Sequence, residues 1–255
     1  MSTLQLTHHE HIIWAEITRP GAKNAINFQV MAELEELLDQ IEKTPEIRVL
    51  VLSGSHNDYF ATGGDLKEFH GLKTAEEGRQ MAERMSNILR RIENGNFWSI
   101  ACVNGDAYGG GVEMMLAFDF AIASKTANFG FTQGRFYLPP GWGGLTRLVE
   151  RVGRSRALDW LGSQAIVDAN LAFTANLINE VSITADLRAN TWDWAERLSK
   201  PDRKLIGRLK EGSALALESG RNTSFESELK EFGNFWADPK HHEAVDAFIN
   251  RKNPS

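Results

Sequence analysis

Glu113 stands just past a triple glycine, in the stretch Val103-Asn104-Gly105-Asp106-Ala107-Tyr108-Gly109-Gly110-Gly111-Val112-Glu113. An apolar strand that runs into glycines and then a helix presents backbone N–H groups at the helix N-terminus, where the dipole favours negative charge. A carboxylate in that first turn has two uses: it can exchange a proton with a ligand held by the N–H groups, or it can simply complement the dipole. Phe60-Ala61-Thr62-Gly63-Gly64-Asp65-Leu66-Lys67-Glu68 repeats the arrangement, with two glycines that let the backbone approach a ligand and a helix directly behind them. Asp65 and Glu68 have capping-box spacing, which accounts for both acids without catalysis. The glycine pair is then left over, and a backbone N–H aimed at an anion explains it. Between Asn128 and Gly144, NFGFTQGRFYLPPGWGG joins aromatics, consecutive prolines and a glycine pair, the make-up of a rigid pocket wall or of an ordinary packed loop. Arg19-Pro20-Gly21-Ala22-Lys23-Asn24-Ala25-Ile26-Asn27 offers cations that can meet phosphates, or a polar turn ahead of a capped helix.

Other chemistries lack their signals. The glycine run does not complete G-x-G-x-x-G, because Met114 falls where the last glycine belongs, and no G-K-S/T follows it. No G-x-S-x-G elbow is present. His8, His9, His11, His241 and His242 have no Cys or carboxylate spacing suited to a metal, so no metal site is expected and these residues read as solvated or tag-like surface.

Positioning such groups takes alternating strands and helices. His11 to Ile17 reads as a strand, and Asn27 caps a helix with Met31, Leu34, Leu37, Leu38 and Ile41 on one face, ended by Pro45. Ile47 to Leu52 is a nearly continuous apolar run, as in a strand buried on both faces, closed by Gly54. A second amphipathic helix carries Met81, Met85, Ile88, Leu89 and Ile92. Trp98 to Val103 is the next buried strand, the glycine run opens a helix through Leu116, and Phe120 to Ala123 is again a strand. This is the pattern of an α/β architecture. Beyond about residue 140, Gly153 reads as a helix C-terminal glycine, Asp168 as an N-cap, Asn176 as a left-handed helix end, and Leu177 to Val181 as a strand. From Thr184 only helical signals remain, broken at Pro201, Pro239 and Pro254. Phe225, Leu229, Phe232, Phe235 and Trp236 give this tail more aromatic surface than a thin appendage can bury, so it is expected to pack on the core or on a neighbouring subunit.

Composition narrows the partners. The 255 residues, 42% hydrophobic and 24% charged, describe a folded chain, and 28 Lys and Arg against 34 Asp and Glu give a net charge of −6. Without a broad basic surface, neither nucleic acid nor an anionic membrane is an expected partner. No apolar run is long enough to span a bilayer, since Asp106, Glu113 and Asp119 interrupt the most apolar region. The start, MSTLQLTHHEH, carries no targeting pattern, and the protein is expected in the cytoplasm. The single cysteine, Cys102, reads as a buried structural thiol.

In order and separation, the four segments resemble those of the enoyl-CoA hydratase/isomerase (crotonase) superfamily, which read approximately RPxxxNAL, FSAGADLKE, GxAxGGGxELAxxCDxxIA and FGxPExxLGxxPGxGGxxRL. The likeness runs from Arg19 to about Val181. It implies an α/β fold, a spiral of ββα units over residues 1–198, with a helical C-terminal region, 199–255, that supports trimerisation and covers the active site. It also implies homotrimers or homohexamers, an acyl-CoA thioester as substrate, and no cofactor beyond the coenzyme A that the substrate carries. By motif position the backbone N–H groups of Gly64 and Gly110 would form an oxyanion hole for the thioester enolate. Lys23, Ala25, Ala61 and Leu66 match segments that line the coenzyme A site, and Phe248 and Arg251 match a C-terminal aromatic and cation that contact it.

The acids depart from the hydratase pattern. Hydratases in this superfamily use two glutamates, one in GGGxE and one in FGxPE; the first is Glu113, but Gln133 stands at the position of the second. An amide cannot give up and regain a proton as a carboxyl group does. The pattern therefore favours a single-glutamate isomerase or a decarboxylase of malonyl-type thioesters, with hydration and a non-catalytic acyl-CoA-binding role as the alternatives. Gly141-Trp142-Gly143-Gly144-Leu145-Thr146-Arg147-Leu148-Val149-Glu150 and Phe235-Trp236-Ala237-Asp238-Pro239 add a likeness to the ethylmalonyl-CoA decarboxylase branch.

Overall fold

A computed structural model describes residues 2–56, 58–182, 186–215, 217, 229–230 and 232–251 of the chain. Six strands form one sheet in the order β1 (Leu4–His9), β2 (Ile12–Ile17), β3 (Val49–Gly54), β5 (Trp98–Val103), β7 (Phe120–Ser124) and β10 (Glu180–Ser182). Four three-residue strands form a second sheet, β4 (Tyr59–Ala61), β6 (Asp106–Tyr108), β8 (Asn128–Gly130) and β9 (Ile166–Asp168). Helices fill the connections: α1 (Phe28–Lys43) before β3, α2 (Leu66–Phe69) and α3 (Ala75–Asn94) after β4, and α4 (Gly110–Leu116) after β6. A 3-10 turn (Thr132–Phe136), α5 (Gly144–Val152) and α6 (Arg154–Gly162) come after β8, and α7 (Ala169–Thr174) after β9. The tail holds α8 (Leu187–Leu198), α9 (Arg203–Leu215), helical residues 232–236 and α10 (Pro239–Arg251). Three strands of the first sheet, β3, β5 and β7, thus continue into β4, β6 and β8 of the second and then into helical structure.

The apolar runs explain the large sheet. Apart from the β1–β2 hairpin its ladders are parallel, with Val51 opposite Trp14 and Ile100 in one register. Along those strands the side chains alternate between two cores. Ile13, Ala15, Leu50, Leu52, Ala101 and Val103 face α1 and α3, whereas Ile12, Trp14, Val49, Val51, Ile100 and Cys102 face Ala195, Trp192 and Trp194 of α8. A sheet covered on both sides must be apolar at consecutive positions, as Val49 to Leu52 are. Cys102 is buried, and burial pushes its thiol up to about 12.

Several expectations are corrected. Leu4 to His9 is a strand and not a tag; only Leu4 of the six is buried, so its pattern is too polar to show. The second sheet escaped notice because three residues show no period. Leu177 to Val181 is a strand only from Glu180: Leu177 and Ile178 are buried, but the Asn179 carboxamide oxygen, rather than a main-chain carbonyl, accepts from Ala121 N. Asp65 caps α2, accepting from the Lys67 and Glu68 N–H groups, yet Glu68 does not close the box. Its carboxylate instead accepts from Phe28 N at 3.1 Å and Asn27 Nδ2 at 3.0 Å, tying the start of α1 to α2. His241 is not surface: it is 2% exposed, with Nδ1 2.9 Å from Phe136 O. Phe232 and Trp236 need no neighbouring subunit, since both are buried within the chain, and the Trp236 indole donates to Leu72 O. Phe225, Thr184 and Pro254 lie outside the described residues.

Candidate active site

The Arg19–Asn27 turn and the Phe60–Glu68 segment are joined first. Ile26 N donates to Gly63 O and Asp65 N to Ile26 O, each at 2.8 Å, a pairing that leaves the Gly64 N–H unused. Thr62 Oγ1 donates to Lys23 O at 3.1 Å, and the Arg19 guanidinium holds Asp65 at 2.8 Å and the Ala25 carbonyl. Lys23 takes a left-handed backbone, φ 52°, and its exposed ammonium lies 4.9 Å above the Tyr59 ring. Ala25 and Ala61 are buried beneath this surface, and Leu66 is half-buried at the start of α2.

The second glycine run arrives beside the first. Gly109 turns the chain at φ 52°, ψ −119°, and Gly110 opens α4, so its N–H has no carbonyl inside the helix to meet. A β-carbon on Gly111 would stand 2.0 Å from Ala61 O, which is how closely α4 abuts β4. One on Gly63 would stand 3.1 Å from Gly110 N. Gly63, Gly109 and Gly111 are buried, whereas Gly64 and Gly110 are half-exposed. The two expected donors are therefore the accessible members of the two runs.

Glu113 reaches the third segment. It is 4% exposed, and its carboxylate accepts from Trp142 N at 2.7 Å, Gly144 N at 3.1 Å, Gln133 Nε2 at 3.1 Å and, at the long end, Gly141 N at 3.4 Å. Four donors around one carboxylate are the environment of an anion. With Nε2 committed to Glu113, Gln133 Oε1 is left buried without a hydrogen-bond partner among the described residues. Main-chain donors on Glu113 were not foreseen, and neither was Arg147: at 1% exposed it pairs bidentately with Glu93 at 3.2 and 3.0 Å and donates to Trp142 O at 2.8 Å. The segment Gly141-Trp142-Gly143-Gly144 is the signal that could have found them.

Phe248 packs edge-on against Phe136, 5.2 Å between centroids, on the turn that carries Gln133. Arg251 ends α10. A cleft of about 490 Å³ beside Glu93, Asn96, Arg203 and Lys210 shares none of the site glycines, and its Lys210 is committed to Asp119 at 2.8 Å. Among the described residues no three His, Cys, Asp or Glu side chains are grouped to hold a metal, and no helix is long and apolar enough to cross a membrane.

A repeated ββα spiral with two glycine helix starts beside a buried glutamate defines a crotonase-fold α/β protein. The chain belongs to the enoyl-CoA hydratase/isomerase family, whose model matches residues 7–255. It is 30% identical over 251 residues to the ethylmalonyl-CoA decarboxylase of Danio rerio, covering 95% of this chain and 82% of that one. It is 28% identical over 236 residues to the short-chain-enoyl-CoA hydratase of Clostridium acetobutylicum, covering 92% and 90%. The crystal structure of an enoyl-CoA hydratase from Bacillus anthracis superposes with a TM-score of 0.81 at 25% identity, covering 99% and 98%.

Proposed function

We propose that the protein decarboxylates a malonyl-type acyl-CoA thioester. In this reading the Gly64 and Gly110 N–H groups receive the thioester oxygen. The bond from the α-carbon to the carboxylate breaks, CO₂ leaves, and the electron pair passes into an enolate whose oxyanion the two N–H groups stabilise. A proton from solvent then completes the α-carbon. Losing one such donor typically costs about 10²- to 10³-fold in rate. Lys23, Ala25, Ala61 and Leu66 line the coenzyme A side, with Phe248 and Arg251 contributing from the helical tail, which covers the site through Phe232 and α10.

The observation that carries this reading is the state of Glu113. Its carboxylate is occupied by Trp142 N, Gly144 N and the Gln133 amide, and the position of the second acid carries that amide. Hydration needs one group to activate water and another to deliver the α-proton. Departure of CO₂ generates the enolate with no base at all. Similarity to the ethylmalonyl-CoA decarboxylase of Danio rerio, whose name denotes a reaction of this type, supports it.

Three rates on one preparation test the reading: CO₂ release from methylmalonyl- or ethylmalonyl-CoA, hydration of crotonyl-CoA, and double-bond migration in a 3-enoyl-CoA. CO₂ release is expected to be fastest, and Gln133→Glu is expected to raise hydration. Hydration fastest in the unaltered protein, with no gain from Gln133→Glu, would replace this reading by an ordinary hydratase.

A further inference from the structure

We propose that the Trp142 indole is the acyl-side wall of the site and restricts it to short acyl groups. This rests on the reading of the site as one for an acyl thioester and adds what limits the substrate. A β-carbon built on Gly110 would stand 2.3 Å from Trp142 Cζ3, 2.7 Å from Cη2 and 2.8 Å from Cε3, and one on Gly64 would stand 3.6 Å from Cζ2. One six-membered ring therefore lies against both glycines whose N–H groups face the substrate carbonyl. Phe69 closes the Gly64 side, 2.9 Å from the same built β-carbon.

The wall is fixed as well as near. Trp142 is 4% exposed. Its N–H is held by Glu113 at 2.7 Å and its carbonyl by Arg147 at 2.8 Å, and Arg147 is itself clamped by Glu93. Main-chain bonds on both sides of the α-carbon and a buried ring leave the indole little freedom to swing aside. An acyl group whose carbonyl sits at the two N–H groups meets this ring within a few atoms of chain. A pocket boundary typically discriminates about 10- to 200-fold per methylene.

Affinities for butyryl-, hexanoyl-, octanoyl- and decanoyl-CoA, measured by titration calorimetry, test this without requiring turnover. The unaltered protein is expected to bind butyryl-CoA at least about tenfold more tightly than octanoyl-CoA. Trp142→Ala is expected to erase or invert that ratio, and Trp142→Phe, which keeps an aromatic filler should the alanine variant fail to fold, to move it partway. An unaltered protein that binds long chains as well as short ones, or folded variants whose ratio is unchanged, would overturn the wall and leave the acyl-CoA reading standing. No binding of any thioester would overturn both.

Discussion

A buried carboxylate that holds a loop can be an anchor, a participant in chemistry, or both, and a single substitution separates these roles. Glu113 accepts from the main chain at Trp142 and Gly144, so replacing one of its oxygens by an NH₂ group would set a donor against a donor. Glu113→Gln is therefore expected to destabilise the fold by about 1–3 kcal/mol through the unsatisfied buried donor and, because departure of CO₂ needs no base, to keep CO₂ release within about tenfold of the unaltered rate, short of the roughly 10²-fold at which acid-base roles begin. Kinetics and thermal melting on the same variant check both halves. A full rate loss with an unchanged melting temperature would assign the carboxylate to chemistry alone, and an unchanged rate would make it a loop anchor.

Helices meet at this site through their ends, and the tail is fastened by histidines. His241 of α10 sits between Trp236, 4.7 Å away, and the Phe136 carbonyl, and burial lowers its pKa against the opposing pull of that carbonyl. His242 is lowered too, chiefly by burial and then by Lys73 and His70, while His70 pairs with Asp246. A folded pKa below the ordinary value of about 6.5 means that the unfolded chain takes up the proton first, so stability is lost as pH falls below about 6.5. The melting temperature is expected to fall between pH 7 and pH 5.5, and His241→Phe to flatten that slope; a slope the variant leaves unaltered would place the titration elsewhere. At this scale sequence legibility was uneven for physical reasons. Trp98 to Val103 and Gly110 to Leu116 were readable to within a residue, because a doubly covered strand and a glycine-opened helix announce themselves locally. The three-residue strands were not, and neither was the partner of Glu68, since α1 comes to lie beside α2 only through tertiary packing. The four site segments were legible as glycines and acids in order, but the amide N–H groups that grip Glu113 belong to backbone geometry that side-chain patterns do not encode.

The whole molecule leaves an edge uncovered. β9 closes the second sheet on one side with only β8 as neighbour, and Ile166 within it and Leu171 and Phe173 on the adjoining α7 are each close to half exposed, at 49, 45 and 48%. Open edges flanked by apolar side chains are usually covered. Sedimentation at micromolar concentration is expected to show a trimer or hexamer, and a monomer would count against the assembly that the family likeness implies. The strand order of the large sheet has a different consequence, in time rather than space. Because β2, β3, β5, β7 and β10 are added to one growing edge in the order of the chain, each new strand finds its template already synthesised, and the sheet can lengthen as the polypeptide leaves the ribosome. The last addition is the slow one: Glu180 must find Ile122 after the whole β8 to α7 excursion has been made, a long loop whose closure entropy falls due before any contact rewards it. Until then β7 is an exposed parallel edge, the point at which a nascent chain of this fold is most open to a chaperone or to another copy of itself.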